Sequence, residues 1–383
     1  MTSLYLHIPF CLSKCHYCSF SSCVAGEELY GPYIAALTFE ITRLHDIAAE
    51  IDNGVDNSFG LSTLFVGGGT PTCLPPDLLQ GIINYSIDLF GVAPHAEISV
   101  EANPGTVDTA YLKMLLEAGV NRLSLGVQSF DNRELELIGR IHNEQGACSA
   151  IEAAGTAGFD NINLDLMYGL PGQTPLSWRN SLEKALSFQP EHLSLYQLTI
   201  EAETPFYTFL KNNTLHLPDE DAVIEMDEIT KQLCSSAGLQ QYEISNYATE
   251  WNECRHNINY WQNNDYLAAG ASAVSCLQGV RERRIADPVE YIRRIHQKKS
   301  VVIEKECLSR EDSFRETVIM GLRLVQGVSR SALQARYSLD PEEYYGVTLE
   351  KLIKLGFLQL TKTNLRMTEK GWPLSNQIMA ELV

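Results

Sequence analysis

The stretch from residue 4 to residue 20, "LYLHIPFCLSKCHYCSF", runs an apolar segment straight into a loop holding Cys11, Cys15 and Cys18. Its first five residues have the short, apolar character of a buried strand, and Pro9 ends it. The same texture recurs at "LSTLFV" (61–66), "AEISVEA" (96–102), "RLSLGVQ" (122–128), "NINLDLMYG" (161–169) and "HLSLYQL" (192–198). Between these runs lie helical patterns near 28–50, 76–89, 107–118, 145–157 and 175–188. Strands alternating with helices of this length predict right-handed crossovers and a parallel sheet. Six units predict a barrel or part of one, whose chemistry sits where the strands end. The strand ends read "GGGTPT", "EANPG", "QSF" and "DLMYGLPGQ", rich in glycine, amide and carboxylate groups.

The cysteine spacing C-x3-C-x2-C does not suit structural zinc, which takes four ligands and commonly pairs two knuckles. Three thiolates on one loop suit three corners of a 4Fe-4S cube, leaving the fourth iron open to a ligand that is not protein. A plain iron-sulfur electron carrier is the rival reading at this point. The chain has ten cysteines. Only Cys23 lies near the triad, and Cys73, Cys148, Cys234, Cys254, Cys276 and Cys307 are expected to serve as small apolar residues.

This spacing and its flanks resemble the radical S-adenosylmethionine (SAM) superfamily, in which the open iron chelates SAM and cluster and SAM together generate a deoxyadenosyl radical. The resemblance implies a 4Fe-4S cluster on Cys11, Cys15 and Cys18, with SAM beside it. It assigns Gly67, Gly68, Gly69 and Thr70 to the SAM amino-group motif, and Tyr5, Glu101, Gln128, Arg140 and Asp165 to further SAM contacts. Tyr17, on the cysteine loop, matches the family's cofactor-contacting aromatic. Carboxylates suit ribose hydroxyls and a sulfonium, and a guanidinium suits the methionine carboxylate.

"YLHIPFC", "GGGTPT", "VEANPG", "LGVQSF", "GRIHN" and "DLMYGLPGQT" narrow the resemblance to the branch that includes oxygen-independent coproporphyrinogen III oxidase. That oxidase extends its motif to C-x3-C-x2-C-x-C, whereas Phe20 stands at the last position here. A second segment, "HNINYW", carries His256, Asn257, Tyr260 and Trp261 in the pattern H-N-x-x-Y-W. It resembles the motif of the branch's heme-binding members, which deliver heme to apoproteins. A histidine can ligate heme iron and two aromatic rings offer flat apolar surface. The plainer alternative is a packed aromatic stretch with His256 hydrogen-bonded in the core. On the resemblance the expected function is heme chaperoning toward acceptor hemoproteins such as membrane respiratory enzymes, with the oxidase as the alternative.

The formal net charge of -19 opposes nonspecific attraction to nucleic acid, so no nucleic-acid partner is expected. No leader pattern and no apolar run long enough for a transmembrane segment is evident, and a cytoplasmic location is expected. The resulting fold class is α/β: a partial parallel (β/α)6-type barrel over 1–245 and a small helical, winged-helix-like domain over 301–383. Residues 246–300 between them are expected to be an irregular connection, because the Asn- and Tyr-rich run over 241–280 lacks clear periodicity. The last segment carries 11 basic and 11 acidic residues, so the negative excess lies entirely before it.

Overall fold

The computed structural model describes residues 2–51 and 60–383. Six parallel strands stand side by side in chain order: β1 (Thr2–Ile8), β2 (Leu61–Gly68), β3 (Val92–Ala102), β4 (Arg122–Gln128), β5 (Ile162–Tyr168) and β6 (His192–Gln197). The crossovers hold α1 (Tyr30–Ile51), α2 (Pro76–Phe90), α3 (Thr109–Glu117), α4 (Asn132–Leu137), α5 (Glu144–Ala157) and α6 (Pro175–Ser187). Side-chain caps fix several helix starts: Asp108 accepts from Tyr111 N, Asn143 from Gly146 N, and Thr174 from Ser177 N just before Pro175.

Alternation along each strand divides the sheet into two chemically different faces. Leu4, Leu6 and Ile8, then Leu64 and Val66, Leu123, Leu125 and Val127, and Leu164 and Leu166 are buried in the main apolar core. Tyr33, Leu37 and Ile41 of α1, Leu79 and Ile83 of α2, and Trp178 and Leu182 of α6 join them there. The intervening residues form a polar inner face: Thr63, Glu97 and Ser99, Arg122 and Ser124, Asn163 and Asp165. Register aligns Glu101 with Ser124, Ser124 with Asn163, and Asn163 with His192 across four strands, and puts Arg122 beside Ser99 one layer deeper.

After α7 (Pro205–Lys211) and α8 (Glu220–Ser236), the chain departs from the expected irregularity. β7 (Gln240–Gln241) and β8 (Asn246–Ala248) continue the sheet antiparallel beyond β6, and α9 (Arg255–Trp261) follows. β9 (Leu267–Ala269) then pairs parallel with β1, giving a nine-stranded sheet in the order β7-β8-β6-β5-β4-β3-β2-β1-β9. These strands are two or three residues long, and β8 and β9 pair with strands far away in sequence, so local periodicity carries no trace of them. β10 (Val274–Leu277), β11 (Val280–Arg284) and β12 (Val302–Cys307) make an antiparallel sheet, with α10 (Pro288–His296) inside the last connection.

The final unit packs α11 (Arg310–Gly321), α12 (Arg330–Tyr337), α13 (Pro341–Tyr345) and α14 (Val347–Lys354) with a three-stranded antiparallel sheet. That sheet comprises β13 (Val328–Ser329), β14 (Leu358–Leu360) and β15 (Asn364–Met367), and α15 (Ser375–Ala380) closes the chain. Phe314, Leu333, Leu352 and Leu365 belong to its own core. No helix of the described residues is long and apolar enough to cross a membrane.

Candidate functional site

The cysteine loop lies over the C-terminal ends of the strands. Its base is pinned by paired backbone bonds, Cys11 N to Cys23 O and Cys23 N to Pro9 O, while its outer turn is held by His16 N donating to Ile138 O. Cys11, Cys15 and Cys18 border one pocket of about 120 Å³ together with Tyr17, Gly68, Gly69 and Thr70. Glu101, Gln128, Arg140 and Asp165 border the same pocket. Among the described residues, no three His, Cys, Asp or Glu side chains converge on a point that would hold one metal ion. A cube does not require such convergence, since each thiolate meets a different iron, and three thiols facing one pocket fit it. Burial pushes the Cys18 thiol up, and cluster iron would displace its proton.

The glycine tract does two separate jobs. Gly68 has φ +118°, and a side chain there would meet the His7 ring at 2.6 Å. A Cβ on Gly69 would stand 2.6 Å from Phe10 O and 3.0 Å from Cys11 Sγ, so this glycine is what lets the loop cross the strand end. Gly68 N donates to Glu101 Oε2 at 3.0 Å. The tract thus seats the loop and orients a carboxylate, in addition to presenting backbone toward the pocket.

Two donors reach the thiols: Thr70 Oγ1 lies 3.7 Å from Cys11 Sγ and Arg140 Nη1 lies 3.6 Å from Cys15 Sγ. Arg140 Nη2 also donates to Asn103 Oδ1 at 2.5 Å and to Gly126 O, while its Nε is buried without a partner among the described residues. Gln128 occupies a left-handed conformation, φ +72°, at an irregularity between β4 and β5, which turns it into the pocket. Asp165 is held by Asn163 Nδ2 at 2.7 Å and Ser124 Oγ at 3.2 Å. Burial, reinforced by Asp165, pushes Glu101 up to about 8.

A second cavity, about 510 Å³, opens from the same face and runs down the polar lumen. Glu101, Gln128, Asp165, Tyr17, Cys18 and Phe20 border both spaces. Phe20, 67% exposed, stands at their shared mouth, where a fourth cysteine would have put a small polarizable thiol. Tyr5 joins the cavity wall with Phe65, Tyr196 and Tyr260, as do His256 and Asn257. Gly67 sits behind this wall, with no room for a Cβ against Glu101.

The helix bearing H-N-x-x-Y-W is set by a carboxylate that the sequence reading did not single out. Glu97, buried on β3, accepts from Arg255 N at 2.6 Å, His256 N at 3.4 Å and Cys254 Sγ at 3.4 Å. A negative group at the first turn of α9 matches the exposed amides there. His256 is 1% exposed, and both of its ring nitrogens are engaged: Nδ1 with Thr63 Oγ1 at 2.7 Å and Nε2 with the Tyr260 hydroxyl at 2.9 Å. Phe65 stacks on the ring at 5.2 Å, and burial pushes the imidazole down to about 3, leaving it neutral. Trp261 does not join this cavity. It faces a separate cleft of about 360 Å³ against α11 and α12, with Arg323 over its ring at 5.3 Å.

His7 is a further residue that the sequence reading passed over. Its Nδ1 meets the Tyr5 hydroxyl at 3.0 Å and its Nε2 meets Ser21 O at 2.8 Å, tying the strand to the cysteine loop. The signal for Glu97, Thr63 and Asn163 was the polar residue at every second place of an otherwise apolar strand, a pattern that places one strand face in a polar interior.

Comparison with known proteins agrees with this geometry. Residues 5–185 match the radical SAM superfamily and residues 308–374 match the HemN C-terminal domain. The solved coproporphyrinogen III oxidase (HemN) of Escherichia coli, a radical SAM enzyme, superposes with a TM-score of 0.84 at 25% identity, over 99% of this chain and 89% of that one. The heme chaperone HemW of Bacillus subtilis is 35% identical over 99% of this chain and 98% of its own length. The chain belongs to the HemW family. The HemW of Escherichia coli is 42% identical over 71% of this chain and 69% of its own length. HemW proteins share the radical SAM scaffold, whose cofactors are a 4Fe-4S cluster and SAM, and the thiol triad and strand-end polar groups of this structure fit both.

Proposed function

We propose that this chain is a heme chaperone that receives heme in the lumen cavity and passes it to acceptor hemoproteins. The observation that carries the reading is the cavity itself: aromatic walls, a mouth shared with the cysteine pocket through Phe20 and Tyr17, and His256 and Tyr260 on its inner side. Its size lies within the usual range of ligand sites, about 300–1,000 Å³. Flat apolar rings in a wall suit a macrocycle, and the open mouth suits a ligand that must leave again. Bound together, cluster and SAM supply one-electron chemistry. The chain's own residues hold that pair: the thiols as ligands, Arg140 and Gln128 as donors, Glu101 and Asp165 as acceptors.

In this reading His256 Nε2 becomes available to heme iron when the Tyr260 hydroxyl leaves it. Absorbance titration of heme into cluster-loaded protein tests the proposal, with stoichiometric uptake expected and no saturable uptake overturning it. The shared scaffold with the oxidase supports one competing reading. Anaerobic incubation with coproporphyrinogen III, SAM and a reductant is expected to yield no protoporphyrinogen, and its formation would show that the chain is an oxidase.

A further inference from the structure

At the deep end of the lumen stands a cation with an unused donor: the buried Nε of Arg122 has no hydrogen-bond partner among the described residues. Arg122, the first residue of β4, is 2% exposed and borders the 510 Å³ cavity. The two carboxylates closest in charge to it are committed elsewhere. Glu97 serves Ser99, Cys254 and the first amides of α9. Asp165 serves Asn163 and Ser124. The other titratable groups that feel Arg122 are Glu101, pushed up to about 8, Tyr242 and Cys254, whose protons burial holds firmly, and neutral His192 and His256; Ser99 is its register neighbour.

A guanidinium has five donors in a rigid fork and stays charged in any protein interior. Burying one with its Nε–H unmet is costly, while the field of Glu97 and Asp165 offsets the charge without satisfying that donor. A planar anion that can accept two parallel N–H groups removes that cost, and a carboxylate has this shape. The strand geometry sets the ligand's length: Arg122 lies six residues below Gln128 at the strand end, about 20 Å along β4. A molecule touching both the aromatic mouth and Arg122 therefore needs an extended apolar body with a carboxylate at its inner end.

We infer that Arg122 is the anchor for a carboxylate of the cavity's ligand, which, on the heme reading, is a propionate. The porphyrin then enters edge first, with its acidic edge inward and its apolar edge toward Phe20. This orientation gives the chaperone a selection rule that a purely aromatic pocket lacks: a diacid macrocycle is kept and its neutral ester is not. The inference rests on the heme proposal, and the two separate experimentally.

Heme and heme dimethyl ester are titrated by absorbance into cluster-loaded wild type, Arg122→Gln and Arg122→Lys. The wild type is expected to bind the ester about 10- to 100-fold more weakly than heme, the loss of one charge-assisted contact. Arg122→Gln is expected to bind both porphyrins alike, at the level of the ester, and Arg122→Lys to recover part of the preference. Equal binding of heme and ester by the wild type overturns the anchor while leaving the chaperone reading standing. So does an undiminished preference in Arg122→Gln. Absence of heme binding by the wild type overturns both. The wild-type comparison alone decides the matter if Arg122→Gln fails to fold.

Discussion

The cysteine loop and the histidine helix border one cavity, yet they are prepared in opposite ways. The loop presents three thiols with few internal partners, seated against Gly68 and Gly69 of the β2 end, which leave it room. The helix presents a histidine with both nitrogens bonded, stacked under Phe65 and held from behind by Glu97. Both regions announce themselves as motifs in the sequence. One is open to a ligand as it stands, and the other must first give up an internal bond. A metal-binding residue type in a recognisable pattern therefore settles what a side chain can ligate, and its hydrogen bonds settle whether it is ready to.

The sharpest way to break the contrast is at the loop. Cys15→Ala removes one corner of a three-corner site, and complete loss of the reconstituted 4Fe-4S absorption and of bound iron is expected. Iron content equal to the wild type would refute the ligand set. His256→Ala in the same assay is expected to leave cluster assembly intact, since its ring does not border the cysteine pocket and its nitrogens bond to Thr63 and Tyr260.

Proton linkage separates the regions next, with opposite slopes. Glu101 is pushed up to about 8 from an ordinary 4.5. Its folded form holds a proton that the unfolded chain has released, so its contribution is full below about 4.5 and is lost as pH rises through about 8. His256 is pushed down to about 3 from 6.5. The unfolded chain there takes up a proton that the folded form refuses, so its contribution is full above about 6.5 and is lost as pH falls toward 3. Each slope is at most about 1.4 kcal/mol per pH unit. Urea melts of the cluster-free protein from pH 5 to 8 should show Glu101→Gln reducing the loss on the alkaline side. An unchanged pH profile in that variant would rule out Glu101 as its source.

Glu97 tests whether the histidine helix is held from behind. Glu97→Gln withdraws the charge and one acceptor from the first turn of α9, and a loss of about 2 kcal/mol is expected in denaturant melts. Weaker heme uptake should accompany it, because Glu97 positions His256 and Tyr260 without lining the cavity. A destabilised variant with unaltered heme affinity would detach α9 from the binding site.

The difference in legibility follows the same physics. The six parallel strands and their helices could be read because each burial face recurs with its own period over five or more residues. The cysteine pocket could be read because its ligands are contiguous on one loop. Glu97, Thr63 and His7 were passed over because each is a single polar residue inside an apolar strand, and its role exists only once the fold brings a distant partner beside it. The run over 241–280 was misread as irregular for a related reason. β9 is three residues long and bonds to β1, some 260 positions earlier, so propensity had nothing to act on. Trp261 shows the limit of a motif read as a unit: one helical turn carries it away from His256 and into the cleft with the C-terminal unit.

The smallest expected effect is the most discriminating. Tyr260→Phe keeps the ring that packs against His256 and removes only the hydroxyl bonded to Nε2 at 2.9 Å. That bond is worth about 1 kcal/mol net, so folding stability should fall only slightly. If heme iron takes Nε2 after the hydroxyl leaves, the variant no longer has to break the bond, and heme affinity should rise about fivefold. The same change on a His256→Ala background should then do nothing, because the nitrogen it frees is gone. A rise in both backgrounds would assign the gain to the cavity wall, and no rise in either would leave His256 as a packed core residue beside a heme held by other groups.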